Sequence, residues 1–335
     1  MAIYLHVGTA KTGTTTIQHA MFNSRDQLRE NNSLNYLGLG HNHWGVLIPY
    51  TTFDKYLPLQ RHILRRLGTL DNYVSLGRKY RKLLEDEKDR YRTHVLSSEQ
   101  LLGADADALQ GLKTFLCGLG QEVKVLVYVR HPLERLSSHI CQRMRSGLEQ
   151  INELPCTDNI TPEIQKYASI FGKSNLIIRR FGERYFTGND LMCDFTTIVN
   201  GTPISIPADR KNVSLSIAAV YMAECGFSVA PLSSGKRAFD RLLPQIPGKK
   251  FMAPRWMAER TLHEYEPGLN YLAEEFGIEF EDFDLSNFPE TLEWEFPAEA
   301  IKATAQIIND QALEIEELKR KKAKVKSLFR KFFEQ

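Results

Sequence analysis

Short apolar runs separated by longer amphipathic stretches set the rhythm of this chain. Ile3 to Val7, His94 to Ser97, Val123 to Val129 and Leu176 to Arg179 are strand-sized runs. The third is apolar enough to be buried on both faces, as strands of parallel sheets are. After the first run, helical spacing takes over from Thr14 to about Glu30, with Ile17, Met21 and Leu28 on one side and Gln18, Arg25 and Arg29 largely on another. Residues 31–92 are mixed and polar, rich in aromatic and basic side chains, and read as helices and loops laid over a sheet. Beyond the fourth strand the chain to about Ala300 is helical and loop-like, broken near Pro203, Pro207, Pro244, Pro247 and Pro254. Strands alternating with helices predict an α/β fold of three layers, a central parallel sheet with flanking helices. No internal repeat or low-complexity linker interrupts it.

The chain's 335 residues fit one large domain, taken here as residues 1–300, followed by a helical segment over 301–335. A balance of 43 basic against 41 acidic residues leaves a formal charge of +2. That is too small for a whole-chain field of the kind that attracts nucleic acid, so no nucleic-acid partner is expected. Cys117, Cys141, Cys156, Cys193 and Cys225 are widely spaced with no C-x-x-C pair, which argues against a disulfide framework or a zinc site and suits a reducing compartment. The first strand begins at Ile3, leaving no room for a secretory leader, and no long apolar stretch follows; a soluble, cytoplasmic protein is expected.

Charge is concentrated locally in the final segment. Lys319 to Lys331 holds eight basic residues and no acidic one, and Val325, Leu328, Phe329, Phe332 and Phe333 share a helical face. Two explanations stand. Such a helix suits an anionic membrane surface, which would make the protein peripheral at the inner membrane face, and it equally suits a helix docked on its own domain or on a partner.

The candidate chemistry begins where the first strand ends. IYLHVGTAKTGTTTIQ passes from strand through a Gly/Thr/Lys turn into a helix, an arrangement that offers backbone N–H groups to an anion. Gly8 and Gly13 keep the G-x-x-x-x-G spacing of nucleotide loops, but Thr14 stands where the lysine of that motif belongs and the lysine sits inside the loop as Lys11. The Lys-Ser/Thr pair that serves a terminal phosphate and its magnesium is therefore missing, which disfavours ATP or GTP hydrolysis. A second constellation follows the third strand in YVRHPLERLSSHICQRM. Arg130 closes the strand, Pro132 opens a helix at a position where its missing N–H costs nothing, and Arg135, Ser138 and Gln142 are spaced along one face. A guanidinium at a strand end with a hydroxyl on the next helix makes a second anion pocket. Two such pockets imply a doubly phosphorylated ligand.

These residues resemble sulfotransferases that use 3'-phosphoadenosine 5'-phosphosulfate (PAPS). Lys11, Thr12, Gly13, Thr14, Thr15 and Thr16 are similar to the family's K-x-G-T loop on the 5'-phosphosulfate. Arg130 and Ser138 match its Arg-then-Ser pair on the 3'-phosphate. RHPLERLSSHICQ further resembles the R-N-P-x-x-R-x-x-S-x-x-x-Q form of glycan sulfotransferases, with His131 in place of Asn. The resemblance covers roughly the first 200 residues and implies a P-loop-like fold, PAPS as co-substrate with adenosine 3',5'-bisphosphate (PAP) as product, and no metal requirement. Lys11 would then stabilise the bridging oxygen as the 5'-phosphate departs. Arg210, Lys211 and Asn212 fall where that fold often carries another basic contact to the 3'-phosphate, although a solvated loop explains them as well.

An acceptor hydroxyl needs a base near the sulfur. Glu99 follows its strand directly, at the edge where open α/β sheets bind ligands, and equally suits a capping role for the turn that follows. His43, with His41 and Trp44 in YLGLGHNHWGV, sits in a Gly-rich loop that could hold an imidazole over the site; a metal-ligand pair or plain loop polarity would also account for it. Glu99 is the favoured base and His43 the second candidate. The aromatic and basic character of the acceptor-side segment 31–92 suits a saccharide or lipid-linked saccharide. Two rival functions remain: a magnesium-dependent kinase of a small metabolite, and a relative that binds PAP without turnover.

Overall fold

The computed structural model describes residues 1–51, 69–146, 151, 159–208, 214–229, 243–292 and 298–333. Where the sequence suggested one domain to residue 300, the chain divides into two compact units. The first is Met1–His131 with Asn159–Lys211 and Pro267–Phe280; the second is Pro132–Asp158 with Asn212–Glu266 and Glu281–Gln335.

The first unit carries the sheet. Its strands are β1 (Ala2–His6), β2 (Leu34–Tyr36), β3 (Thr93–Ser97), β4 (Glu122–Val129) and β5 (Leu176–Arg180). All neighbours are parallel, in the order β2-β3-β1-β4-β5. The expected α/β architecture is present, because alternate side chains of these apolar strands need cover on both faces. Ile3 and Leu5 of β1 and Val123, Val125, Val127 and Val129 of β4 pack with α3 (Leu70–Glu87), α4 (Ala106–Gly118) and α6 (Thr161–Phe171). Tyr4, Leu126 and Tyr128 point to the other face and pack with α1 (Thr14–Asn23), α2 (Arg25–Asn32) and α7 (Leu191–Asn200).

Two local features differ from the sequence expectation. The single helix expected over 14–30 is divided at Ser24, whose φ of −96° and ψ of 5° end α1 and open α2. Arg25 donates to the Phe22 carbonyl at 2.9 Å and stacks over its ring at 4.5 Å, bracing the break. Segment 31–92 also contains the edge strand β2, too short to register as a periodic run. Its buried Asn35 donates to Glu87 at 2.7 Å and accepts from Arg29 at 2.9 Å, so the polar position is satisfied inside the core.

The second unit is helical. Leu133, Leu136, Ile140 and Met144 of α5 (Pro132–Ser146) form the buried stripe expected of them and pack with Ala219 and Val220 of α8 (Ile217–Val229) and Met257 and Ala258 from the first turns of α9 (Arg255–Phe276). The segment expected as a separate tail from 301 belongs to α10 (Ala298–Phe333), and Ile301 and Ala305 lie in the core of this unit. Among the described residues no helix is long and apolar enough to cross a membrane.

Candidate anion-binding site

β1 is central in the sheet. The chain leaves it toward β2 and β3 on one side and later crosses to β4 and β5 on the other, so the carboxyl ends of β1 and β4 flank the point where strand order reverses. In open α/β sheets this is where ligands bind. The loop after β1 is held there by β4: Tyr128 N–H donates to Gly8 O at 2.8 Å, and Thr9 N–H donates to Tyr128 O at 3.0 Å. The chain then turns tightly, with Lys11 at φ 66° and Gly13 at φ 71°. A side chain at Gly13 would meet Leu191 at 2.5 Å and Phe181 at 3.3 Å, so conformation and space both require glycine.

Threonines staple this turn. The hydroxyls of Thr12 and Thr14, both buried, donate to Thr9 O at 2.6 and 3.2 Å. Their side chains therefore shape the loop. α1 opens at Thr14 with Gly13 as its N-cap, and no side chain caps it. The first-turn N–H groups of Thr14, Thr15 and Thr16 have no intrahelical acceptor, which makes this end of α1 electropositive.

Two further side chains are placed at this turn. The Arg130 guanidinium, just past β4, lies 3.5 Å from Lys11 O and 5.4 Å from the Phe181 ring centroid. Glu99, just past β3, packs against the loop: a Cβ on Gly8 would stand 3.5 Å from Glu99 Cγ. Glu99 is exposed as a residue, but the protein crowded around its carboxyl group raises its pKa above the ordinary carboxylate value, while the Thr14 hydroxyl and the Lys11 ammonium pull against the rise. The cap of the turn Glu99–Leu101 is Ser98, whose hydroxyl accepts from Gln100 N–H at 3.3 Å and donates to Gln100 Oε1 at 2.6 Å. Glu99 is thus not the capping group. The structure brings together Lys11, the α1 N-terminus, Arg130 and Glu99.

The histidines expected beside them are placed differently. His43 is fully buried, accepts from Ser97 N–H at Nδ1 (3.0 Å) and lies 3.1 Å from Leu37 O through Nε2. Both ring nitrogens serve the backbone, and burial lowers the pKa to about 4. His41 stacks on His19 with centroids 4.3 Å apart, and Trp44 stacks on Tyr73 at 6.3 Å. Among the described residues no group of His, Cys, Asp and Glu side chains could hold a metal ion.

In the second unit, Arg135 is buried at 3% exposure and donates to Tyr265 Oη at 3.0 Å, so it serves the packing of that unit rather than an open helical face. Ser138 is half-buried in α5. Arg210, Lys211 and Asn212 lie outside the described residues.

A buried polar hub beneath the site was not anticipated. Ser97 Oγ lies 2.8 Å from His6 Nδ1 and accepts from Gln18 Nε2 at 3.2 Å, tying β1, α1 and β3 together two residues before Glu99. Its one sequence signal is polarity at buried positions, His6 ending an apolar run and Gln18 beside Ile17.

No family model matches the chain, and no curated protein matches it. Among solved structures it is similar to a sulfotransferase from Alicyclobacillus acidocaldarius at 13% identity and a TM-score of 0.40, covering 84% of this chain and 97% of that one.

Proposed function

We propose that the chain is a PAPS-dependent sulfotransferase. The observation that carries the reading is the meeting of Lys11, the α1 N-terminus, Arg130 and Glu99 at the carboxyl edge of β1, β3 and β4. Cationic and N–H donors for a phosphosulfate stand beside a carboxylate that can take a proton. The resemblance of the loop and of the Arg130/Ser138 spacing to PAPS enzymes selects this ligand over other anions.

The first-turn N–H groups of α1 hold the 5'-phosphate, and Lys11 neutralises the charge that grows on the bridging oxygen as the S–O bond breaks. Arg130 takes the 3'-phosphate, and Ser138 joins it on sequence spacing alone. The acceptor hydroxyl attacks sulfur in line, forming the new O–S bond; its proton passes to Glu99, and PAP leaves with the electron pair of the broken bond. A raised pKa makes Glu99 a stronger base than an ordinary carboxylate. With both ring nitrogens of His43 engaged, Glu99 is the base of choice. No metal is needed. The acceptor is read as a saccharide hydroxyl from the aromatic and basic composition of residues 31–92, of which 52–68 lie outside the described residues. Cys117, Cys141, Cys193 and Cys225 are free thiols, which supports a cytoplasmic setting.

Titration calorimetry with PAP tests the reading, followed by labelled PAPS against an acceptor panel with EDTA present. PAP should bind, and Lys11→Gln and Arg130→Gln should each weaken it about thirtyfold, the worth of one charge-assisted contact. Binding of magnesium-ATP in preference to PAP would make the chain a kinase. PAP binding without transfer to any acceptor would make it a non-catalytic relative.

A further inference from the structure

Helix α10 runs unbroken from Ala298 to Phe333, and its residues fall on two apolar stripes. Ile301, Ala305 and Ile308 face the core of the second unit. Ile307, Ile315 and Leu318 do not: they are 58%, 50% and 57% exposed. At about 100° per residue these three fall within an arc of about 80°, centred roughly 90° from the buried stripe. In the sequence the same spacing continues through Val325, Phe329 and Phe332. Every residue from Glu317 to Ala323 is exposed, so among the described residues nothing covers this part of the helix.

Charge changes sign along the same helix. Glu314, Glu316 and Glu317 precede the run from Lys319 to Lys331, with its eight basic residues and no acidic one. At the junction Glu317 pairs with Lys321 at 2.8 Å and Glu316 with Arg320 at 4.0 Å; beyond it the sequence supplies no acidic residue until Glu334.

We propose that α10 from Leu318 onward lies on an anionic lipid surface. Exposed Leu318, and the apolar positions that the sequence continues at its spacing among lysines and arginines, match a bilayer interface on both counts. Apolar side chains enter the boundary between headgroups and acyl chains, and long basic side chains reach back to the lipid phosphates. A nucleic acid would match the charge but offers nothing to Ile315 and Leu318. A second copy of the helix would match the stripe but would set two strongly basic runs together. The proposal stands apart from the nucleotide site and survives or fails without it.

Sedimentation of the full chain with vesicles tests it, using phosphatidylcholine alone and phosphatidylcholine with about 30% phosphatidylserine, a content that gives a strongly negative surface. The chain should sediment with the anionic vesicles only, and less as salt rises. Replacing Lys319, Lys322, Lys324 and Lys326 by Gln should lower partitioning about a thousandfold. Ile315→Ser with Leu318→Ser should lower it several-fold, with unchanged helix content by circular dichroism because both side chains are exposed. Equal recovery with and without anionic lipid overturns the proposal. So does tight binding to duplex DNA that the Ser pair leaves intact while vesicle binding is absent. A dimer in velocity sedimentation that the Ser pair dissolves, with no vesicle binding in either form, overturns it in favour of self-association.

Discussion

Glu99 and Asp194 are two carboxylates of the same unit, each crowded by protein and each within reach of a basic residue, and they are treated in opposite ways. Asp194, fully buried on α7, accepts from Tyr128 Oη at 2.8 Å, from Thr187 N–H at 3.0 Å and Thr187 Oγ1 at 3.1 Å, and pairs with Arg179. Burial alone would raise its pKa, but the Arg179 bond and the other donors outweigh burial and hold it below the ordinary value. At Glu99 burial wins over the pull of Thr14 and Lys11. A carboxylate saturated with donors is locked as an ion and fastens β4, β5 and α7 together. One left short of donors keeps an appetite for a proton.

The sharpest way to break this contrast is to neutralise each group in turn. Glu99→Gln should cut turnover by about a hundred- to ten-thousandfold, the usual worth of a general base, with PAP affinity retained. Asp194→Asn should instead cost about 3 kcal/mol of stability in urea denaturation, because it leaves Arg179 facing an uncharged partner; activity per folded molecule should survive. The two differ in sign against pH. The lowered pKa of Asp194 gives stability that is present above its unfolded value and lost as pH falls through the folded one. The raised pKa of Glu99 gives stability that is full below its unfolded value and lost as pH rises through the folded one. At neutral pH Glu99→Gln should therefore melt higher than wild type and Asp194→Asn lower. If both melt lower, the difference between the two carboxylates is not real.

Much of this arrangement was legible in the sequence because its signals are local. An apolar strand, two glycines at loop spacing and an amphipathic helix announce β1, the turn and α1, and strand-end position alone put Glu99 and Arg130 at the ligand edge. Asp194 was not legible, since it lies on a helix while its partners Tyr128 and Arg179 come from two different strands, and no spacing in the chain connects them. The strand β2 is only Leu34–Tyr36, shorter than any period that could be counted. The break at Ser24 was hidden because apolar and basic positions keep helical spacing across it. The burial of His43 was hidden for the opposite reason. In sequence, GHNHWG reads as a polar surface loop, yet His43 N–H bonds Ser97 O at 2.9 Å and the ring is drawn under the strand end.

A smaller effect tests the electrostatic half of the contrast. Lys11 lowers the Glu99 pKa that burial raises, so removing its charge should let that pKa climb further. Lys11→Gln should lower kcat about a hundred- to a thousandfold through the lost leaving-group contact. The activity that remains should show its acid limb at higher pH than wild type, since the base must be ionised to act. A limb that stays in place or moves to lower pH would place Lys11 outside the field of Glu99 and leave burial and the Thr14 hydroxyl as the influences there.

The smallest effect on chemistry is expected at His43, which extends the contrast to a third titratable group, this one fully buried. With Nδ1 accepting from Ser97 N–H and Nε2 at Leu37 O, its ring is saturated in the way Asp194 is, and a pKa near 4 keeps it neutral at neutral pH. His43→Ala strands a buried N–H and a buried carbonyl, each worth about 1 to 3 kcal/mol, and should lower the midpoint of urea unfolding accordingly. Turnover per folded molecule should stay within about tenfold of wild type, because Ser97 lies only two residues from Glu99 and a slight shift of the carboxylate is transmitted to the rate. The acid limb should stay where wild type has it. Should His43→Ala abolish turnover while PAP binding and the unfolding midpoint hold, the saturated group would be the reactive one and Glu99 the structural one, which reverses the reading of both.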